Sequence, residues 1–101
     1  MKVLDWKGLT DRFLLALRVH EELEFKIGSH YWYLGPASDN QGYEDKKGWI
    51  TYQFYSDDII YIPSENPKVI MNTKIQGKTL LEHFIEFEEK ANNKNESNRF
   101  K

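Results

Sequence analysis

No cysteine occurs among the 101 residues, which excludes disulfides, thiolate metal sites and cysteine nucleophiles. Proline is scarce, and the glycines are isolated rather than gathered into a phosphate loop. The nearest approach, Gly77-Lys78-Thr79, lacks the upstream glycine and four-residue spacer of a Walker loop, so it reads as a helix start. No serine lies in a G-x-S-x-G elbow. No apolar run approaches the roughly 18 residues of a membrane span, and MKVLDWKGLTDR has no apolar stretch of signal-peptide length. The expectation is a soluble, cytoplasmic protein with no membrane partner. A large charge of one sign is also lacking. The formal net charge of −2 gives no overall attraction to nucleic acid or an anionic membrane.

Aromatic residues are what the chain has in surplus. They make up 15% of it, which is rich in rings for so short a chain; either the loop, the N-terminal lead-in or the short helix covers the extra rings as a second small core, or they form a binding face. A chain of 101 residues is read as one domain, residues 1–90, followed by a polar tail, residues 91–101. Charge divides along the same line. Lys90, Lys94, Arg99 and Lys101 against Glu96 give residues 90–101 a net +3, which leaves −5 for residues 1–89.

The clearest local pattern is LEFKIGSHYWYL, Leu23 to Leu34. Leu23, Phe25 and Ile27 alternate with Glu24 and Lys26, the period of a strand with one buried face. Gly28-Ser29, with glycine first, suits a type II′ two-residue turn. Such a turn sets Ile27 opposite His30, Phe25 opposite Trp32 and Leu23 opposite Leu34. Tyr31 and Tyr33 then fall on the other face, beside Lys26 and Glu24.

Around this hairpin the remaining elements come from spacing. Residues 1–8 read as a lead-in, with Val3, Leu4 and Trp6 packing on the body. A helix runs from Leu9 to near Glu21, with Thr10 as N-cap and a buried stripe of Phe13, Leu14, Leu17, Val19 and His20. The polar run ASDNQGYEDKKG reads as an exposed, mobile loop, longer than the usual hairpin connection of about 2–5 residues. Trp49 to Tyr55, almost entirely β-branched or aromatic, is the third strand, and Ile59 to Ile62, ended by Pro63, is the fourth. Ser64 caps a short helix carrying Val69, Ile70 and Met71. Gly77 then breaks the chain. Thr79 and Glu82 form a T-x-x-E capping box for a last helix, whose apolar face is Leu80, Leu81, Phe84, Ile85 and Phe87. From Ala91 onward asparagine and charge predict disorder. The fold class is α+β: an N-terminal helix, an antiparallel sheet of about four strands, a short helix, and a C-terminal amphipathic helix packed on one sheet face.

Assembled chemistry is hard to find. His20, His30 and His83 share no metal-ligand spacing, so neither a metal nor another cofactor is expected. Asp57-Asp58 suits a turn, and Glu86, Glu88 and Glu89 suit a solvated helix face. The sequence therefore points to a protein that is not an enzyme. The aromatic sheet face is the remaining candidate: Tyr31 and Tyr33, joined by those of Trp49, Thr51, Gln53 and Tyr55 that face away from the helices, and by Tyr61. Tyrosine and tryptophan give large contact area at protein interfaces for little lost entropy. The reading is a non-catalytic interaction or regulatory module whose partner is another protein, a second copy of the chain included, with Tyr31, Tyr33, Trp49, Tyr55 and Tyr61 as binding residues. The alternative is a single-stranded nucleic-acid-binding accessory protein, since rings also stack bases. It is disfavoured because lysines gather only at Lys46-Lys47 and in the tail.

With Glu24-Phe25 in the first strand and Ile75, Gly77-Lys78-Thr79-Leu80 and Glu82 at the close, the order of elements resembles small uncharacterised α+β proteins of Gram-positive bacteria and their prophages and mobile elements. The resemblance implies a fold and a setting, that of an accessory or regulatory protein of a mobile element. It implies no reaction.

Overall fold

The computed structural model describes residues 6–99, with side chains as far as Ala91. Its elements are α1 (Trp6–Arg18), β1 (Leu23–Ile27), β2 (His30–Pro36), a 3-10 turn (Ala37–Asp39), β3 (Trp49–Gln53), β4 (Ile60–Ile62), α2 (Pro67–Met71), β5 (Lys74–Ile75), β6 (Lys78–Thr79) and α3 (Leu80–Arg99). The strands form an antiparallel sheet in the order β1-β2-β3-β4, with β5 and β6 as a separate ribbon. This is the α+β arrangement expected from the sequence.

The hairpin has the register its turn dictates: Leu23 pairs with Leu34, Phe25 with Trp32 and Ile27 with His30. Gly28 takes a positive φ of 65° while Ser29 does not, as a type II′ turn requires. β2 pairs with β3 through Tyr33–Tyr52, Leu34–Thr51 and Pro36–Trp49, and β3 with β4 through Trp49–Ile62 and Thr51–Ile60.

One sheet face carries the main core. Phe25, Ile27, Trp32, Leu34, Trp49 and Ile62 meet Leu9, Phe13 and Leu17 of α1, Ile70 of α2, Ile75, and Leu80, Phe84 and Ile85 of α3. The Phe84 ring anchors the layer, 4.9 Å from Phe13 and edge-on to Phe25 at 6.1 Å. Each fully buried side chain of this size stabilises the fold by about 1.5–3 kcal/mol.

Several boundaries differ from the sequence reading. α1 includes Trp6, so Thr10 is internal rather than a cap, and Trp6 is exposed instead of packed. Val3 and Leu4 lie outside the described residues. Val19 and His20 leave the buried stripe because the helix ends at Arg18. There His20 adopts φ 58°, Glu21 N–H donates to Ala16 O (2.9 Å) and His20 N–H to Leu17 O (3.3 Å). This is a Schellman close with histidine where glycine is usual. The histidine ring is stacked on Trp49 at 6.0 Å, a contact glycine lacks. The N-cap of α2 is Asn66, whose side chain accepts from Lys68 N–H, and not Ser64. Gly77 belongs to a turn in which Gln76 (φ 53°) and Gly77 (φ 87°) are both left-handed, the type I′ geometry that folds β5 onto β6.

The capping box at α3 is present. Thr79 N–H donates to Glu82 Oε1 (2.8 Å) and Glu82 N–H to Thr79 Oγ1 (3.1 Å). The helix then continues to Arg99, so residues 91–99 are helical rather than the disordered tail their composition predicts. From Leu80 to Arg99 no glycine or proline interrupts it. Phe100 and Lys101 lie outside the described residues.

Candidate functional site: the outer aromatic face

Alternation along β1 to β4 leaves the sheet face opposite the helices to Glu24 and Lys26, Tyr31, Tyr33 and Gly35, Ile50, Tyr52 and Phe54, and Tyr61. On β3 this is the opposite phase to the sequence expectation. Trp49, expected on the aromatic face, is 1% exposed in the main core, and Thr51 beside it is fully buried, its hydroxyl donating to Tyr33 O (2.8 Å). Ile50, Tyr52 and Phe54 face outward instead. Sequence reasoning misses these three because both phases of WITYQFY carry large aromatic rings, Trp49 and Tyr55 in one and Tyr52 and Phe54 in the other. The twelve-residue connection from β2 also does not impose a register as a two-residue turn does.

Tyr33 is on the predicted face but is covered, at 6% exposure. The cover is the segment expected to be a mobile loop. Ala37 N–H donates to Gly48 O (2.9 Å), closing its ends, and successive turns join Asn40 to Ala37, Tyr43 to Asn40 and Lys46 to Tyr43. Gly48 makes this closure possible. Its φ is 112°, and a Cβ there would stand 2.2 Å from Ile62 O. Beneath the loop, Tyr33, Ala37 and Ile50 form a second small core, flanked by Tyr43, Tyr52 and Phe54. Polar contacts fix it. Tyr33 Oη donates to Glu22 Oε2 (2.8 Å), and Asn40 Nδ2 donates to Tyr33 Oη (3.0 Å) and to Pro36 O (2.8 Å). Burial pushes the Tyr33 phenol well above the ordinary tyrosine value. Glu22 adds to the shift, and the Asn40 hydrogen bond partly opposes it. Gly35 provides room for the ring, since a Cβ there would lie 2.1 Å from Tyr33 Oη.

From this covered end a series of rings runs to open solvent. Tyr33 stacks on Tyr52 at 5.0 Å, Tyr52 contacts Phe54 at 6.3 Å, and Phe54 meets Tyr55 edge-on at 6.3 Å. Tyr55 is fully exposed at φ 70°, a left-handed conformation that an aromatic residue takes at a cost of about 1–2 kcal/mol. Ile59 and Tyr61 are exposed nearby on the β4 side, and Asn40, Gln41, Ile50, Tyr52, Ser56 and Ile59 line a groove of about 230 Å³. Tyr61 is tied to the loop, with Tyr43 at 5.9 Å and its hydroxyl donating to Lys47 O. Tyr31, 48% exposed, lies toward the hairpin tip, where its ring is edge-on to Phe87 at 6.5 Å. Of the five residues singled out from the sequence, Tyr31, Tyr55 and Tyr61 are therefore at the surface, while Tyr33 and Trp49 are interior.

The histidines are dispersed. His20 stacks on Trp49, His30 is exposed in the hairpin, and His83 is buried, donating from Nε2 to Ile75 O (2.7 Å). Among the described residues no three His, Asp or Glu side chains are grouped to hold a metal ion, and no helix is long and apolar enough to cross a membrane. Comparison with protein-family models, with curated proteins and with solved structures gives no match. The chemistry of this surface is therefore what bears on function.

Proposed function

We propose that the protein is a non-catalytic interaction module that presents Phe54 and Tyr55, with Tyr52, Ile59, Tyr61 and Tyr31 around them, to another protein. The observation that carries this reading is the aromatic series itself, anchored at Tyr33 under the loop and ending at the fully exposed Tyr55. A ring braced by successive neighbours loses little entropy on binding, which suits it to anchor an interface. Backbone strain at an exposed aromatic residue points the same way, because strain is retained where a position serves something other than stability. Asp57 and Asp58 follow Tyr55 and are exposed, which favours a partner with a basic rim over a phosphate backbone. The setting suggested by the sequence resemblance, a cytoplasmic accessory or regulatory protein of a mobile element, agrees with a small module that works by contact.

The test replaces Tyr55 with a photo-crosslinking aromatic amino acid in the producing cell, with the same replacement at exposed Asp45 as control. A discrete protein adduct from position 55 and none from 45 is expected, and the adduct should disappear when Phe54→Ser is added. Crosslinking to a second copy of this chain would make the module a homodimer. Equal diffuse labelling from both positions sinks the interaction reading, and nucleic-acid adducts would replace it with the stacking one.

A further inference from the structure

A second surface, which shares only Tyr31 with the first, has a different chemistry. Between the β1–β2 turn and α3 lies a groove of about 380 Å³ lined by Lys26, Gly28, Tyr31, Glu86, Phe87, Lys90 and Ala91. A groove of this size is at the small end of ligand sites, which run from about 300 Å³ upward. Tyr31 and Phe87 set two ring surfaces in it at 75° to one another. The Lys26 ammonium stands 5.0 Å from the Tyr31 ring centroid.

The charges of the groove are unbalanced for a definite reason. Glu86 and Lys90 are four apart on α3, the spacing at which a glutamate ordinarily pairs with a following lysine. Glu86 is instead bonded to Lys78 of β6. Among the described residues Lys90 has no carboxylate partner, and Lys26 has only the tyrosine ring. The groove thus combines two aromatic ring walls, one of them faced by the Lys26 ammonium, two ammonium groups without a carboxylate partner among the described residues, and a carboxylate already paired with Lys78. Gly28, with nothing within 4 Å of a Cβ position, leaves its mouth open.

We propose that this groove binds a small planar aromatic anion, its ring against Tyr31 and Phe87 and its anionic group held by Lys26 and Lys90. The inference does not depend on the protein-binding role of Phe54 and Tyr55. The probe is indole-3-acetate, titrated into the ¹⁵N-labelled full chain and followed by amide chemical shifts. Tryptamine serves as the control with the same ring and opposite charge, and acetate as the control with charge and no ring. Saturable shifts confined to the amides around Gly28, Tyr31, Phe87 and Lys90 are expected with indole-3-acetate alone. Lys26→Gln with Lys90→Gln, both at exposed positions, should weaken that binding about tenfold. Phe54→Ser with Tyr55→Ser should leave it unchanged, so failure here and failure of the interaction reading are separable. Equal affinity for tryptamine, shifts scattered outside the groove, an undiminished response in the double lysine variant, or no saturation at about 10 mM would overturn the proposal.

Discussion

Tyr33 shows how a single side chain fixes what the outer face can be. Its ring lies over Gly35, its hydroxyl donates to Glu22 and accepts from Asn40, and the loop closes above it. The phenol consequently keeps its proton to a higher pH in the folded chain than in the unfolded one, where the ordinary value is 10.0. Below pH 10 both states are protonated and the contribution of the neutral phenol is whole. Above it only the unfolded state ionises, so stability falls as pH rises. Tyr33→Phe should cost about 1 kcal/mol at neutral pH through the lost hydrogen bonds. It should also flatten the decline above pH 10, which urea unfolding at a series of pH values would measure. At the other end of the rings, Tyr55→Gly should stabilise the domain by about 1 kcal/mol by relieving the left-handed backbone, while reducing partner crosslinking from a probe at Phe54. Opposite signs in the two assays would show that the strain is retained for binding.

At the level of elements, legibility tracks how tightly each connection constrains the element after it. The first hairpin can be read to the residue because Gly28-Ser29 leaves one register. The capping box at Thr79 and Glu82 is equally plain, since both partners are within one turn. β3 is recognisable as a strand but not in its phase, because Trp49 and Thr51 are as suited to an interior as Ile50 and Tyr52. The loop after Pro36 misleads through its polarity. Its order comes from turn hydrogen bonds and from Tyr43 and Asn40 reaching residues distant in the chain. The β5–β6 ribbon escapes a reading from sequence because Gln76 is an unusual first residue for a type I′ turn. Gln76→Asn should therefore raise stability by about 0.5 kcal/mol, measured by thermal unfolding. The Lys78–Glu86 contact, which raises the lysine's pKa, rests on the same ribbon.

For the whole molecule, the helices cover one sheet face and the loop covers only part of the other, so the rings divide into a main core, a small second core and a surface remainder. Among the described side chains, the main core draws on α3 no further than Phe87. Removal of residues 92–101 should thus shift the melting temperature by no more than about 3 °C, as followed by circular dichroism. A larger loss would mean that the end of α3 contributes to the packing.

Local pattern by itself determined the α+β class, the hairpin register, the last helix and its cap, and the conclusion that more rings are present than one core uses. These depend on interactions within a few residues, where spacing and backbone preference decide. Only the tertiary structure decided which rings are the surplus. Trp49 and Tyr33 are taken inward, Phe54 and Tyr55 are left outward, and Lys90 has no carboxylate partner among the described residues. Most of these outcomes turn on contacts between different elements, and no local periodicity encodes them.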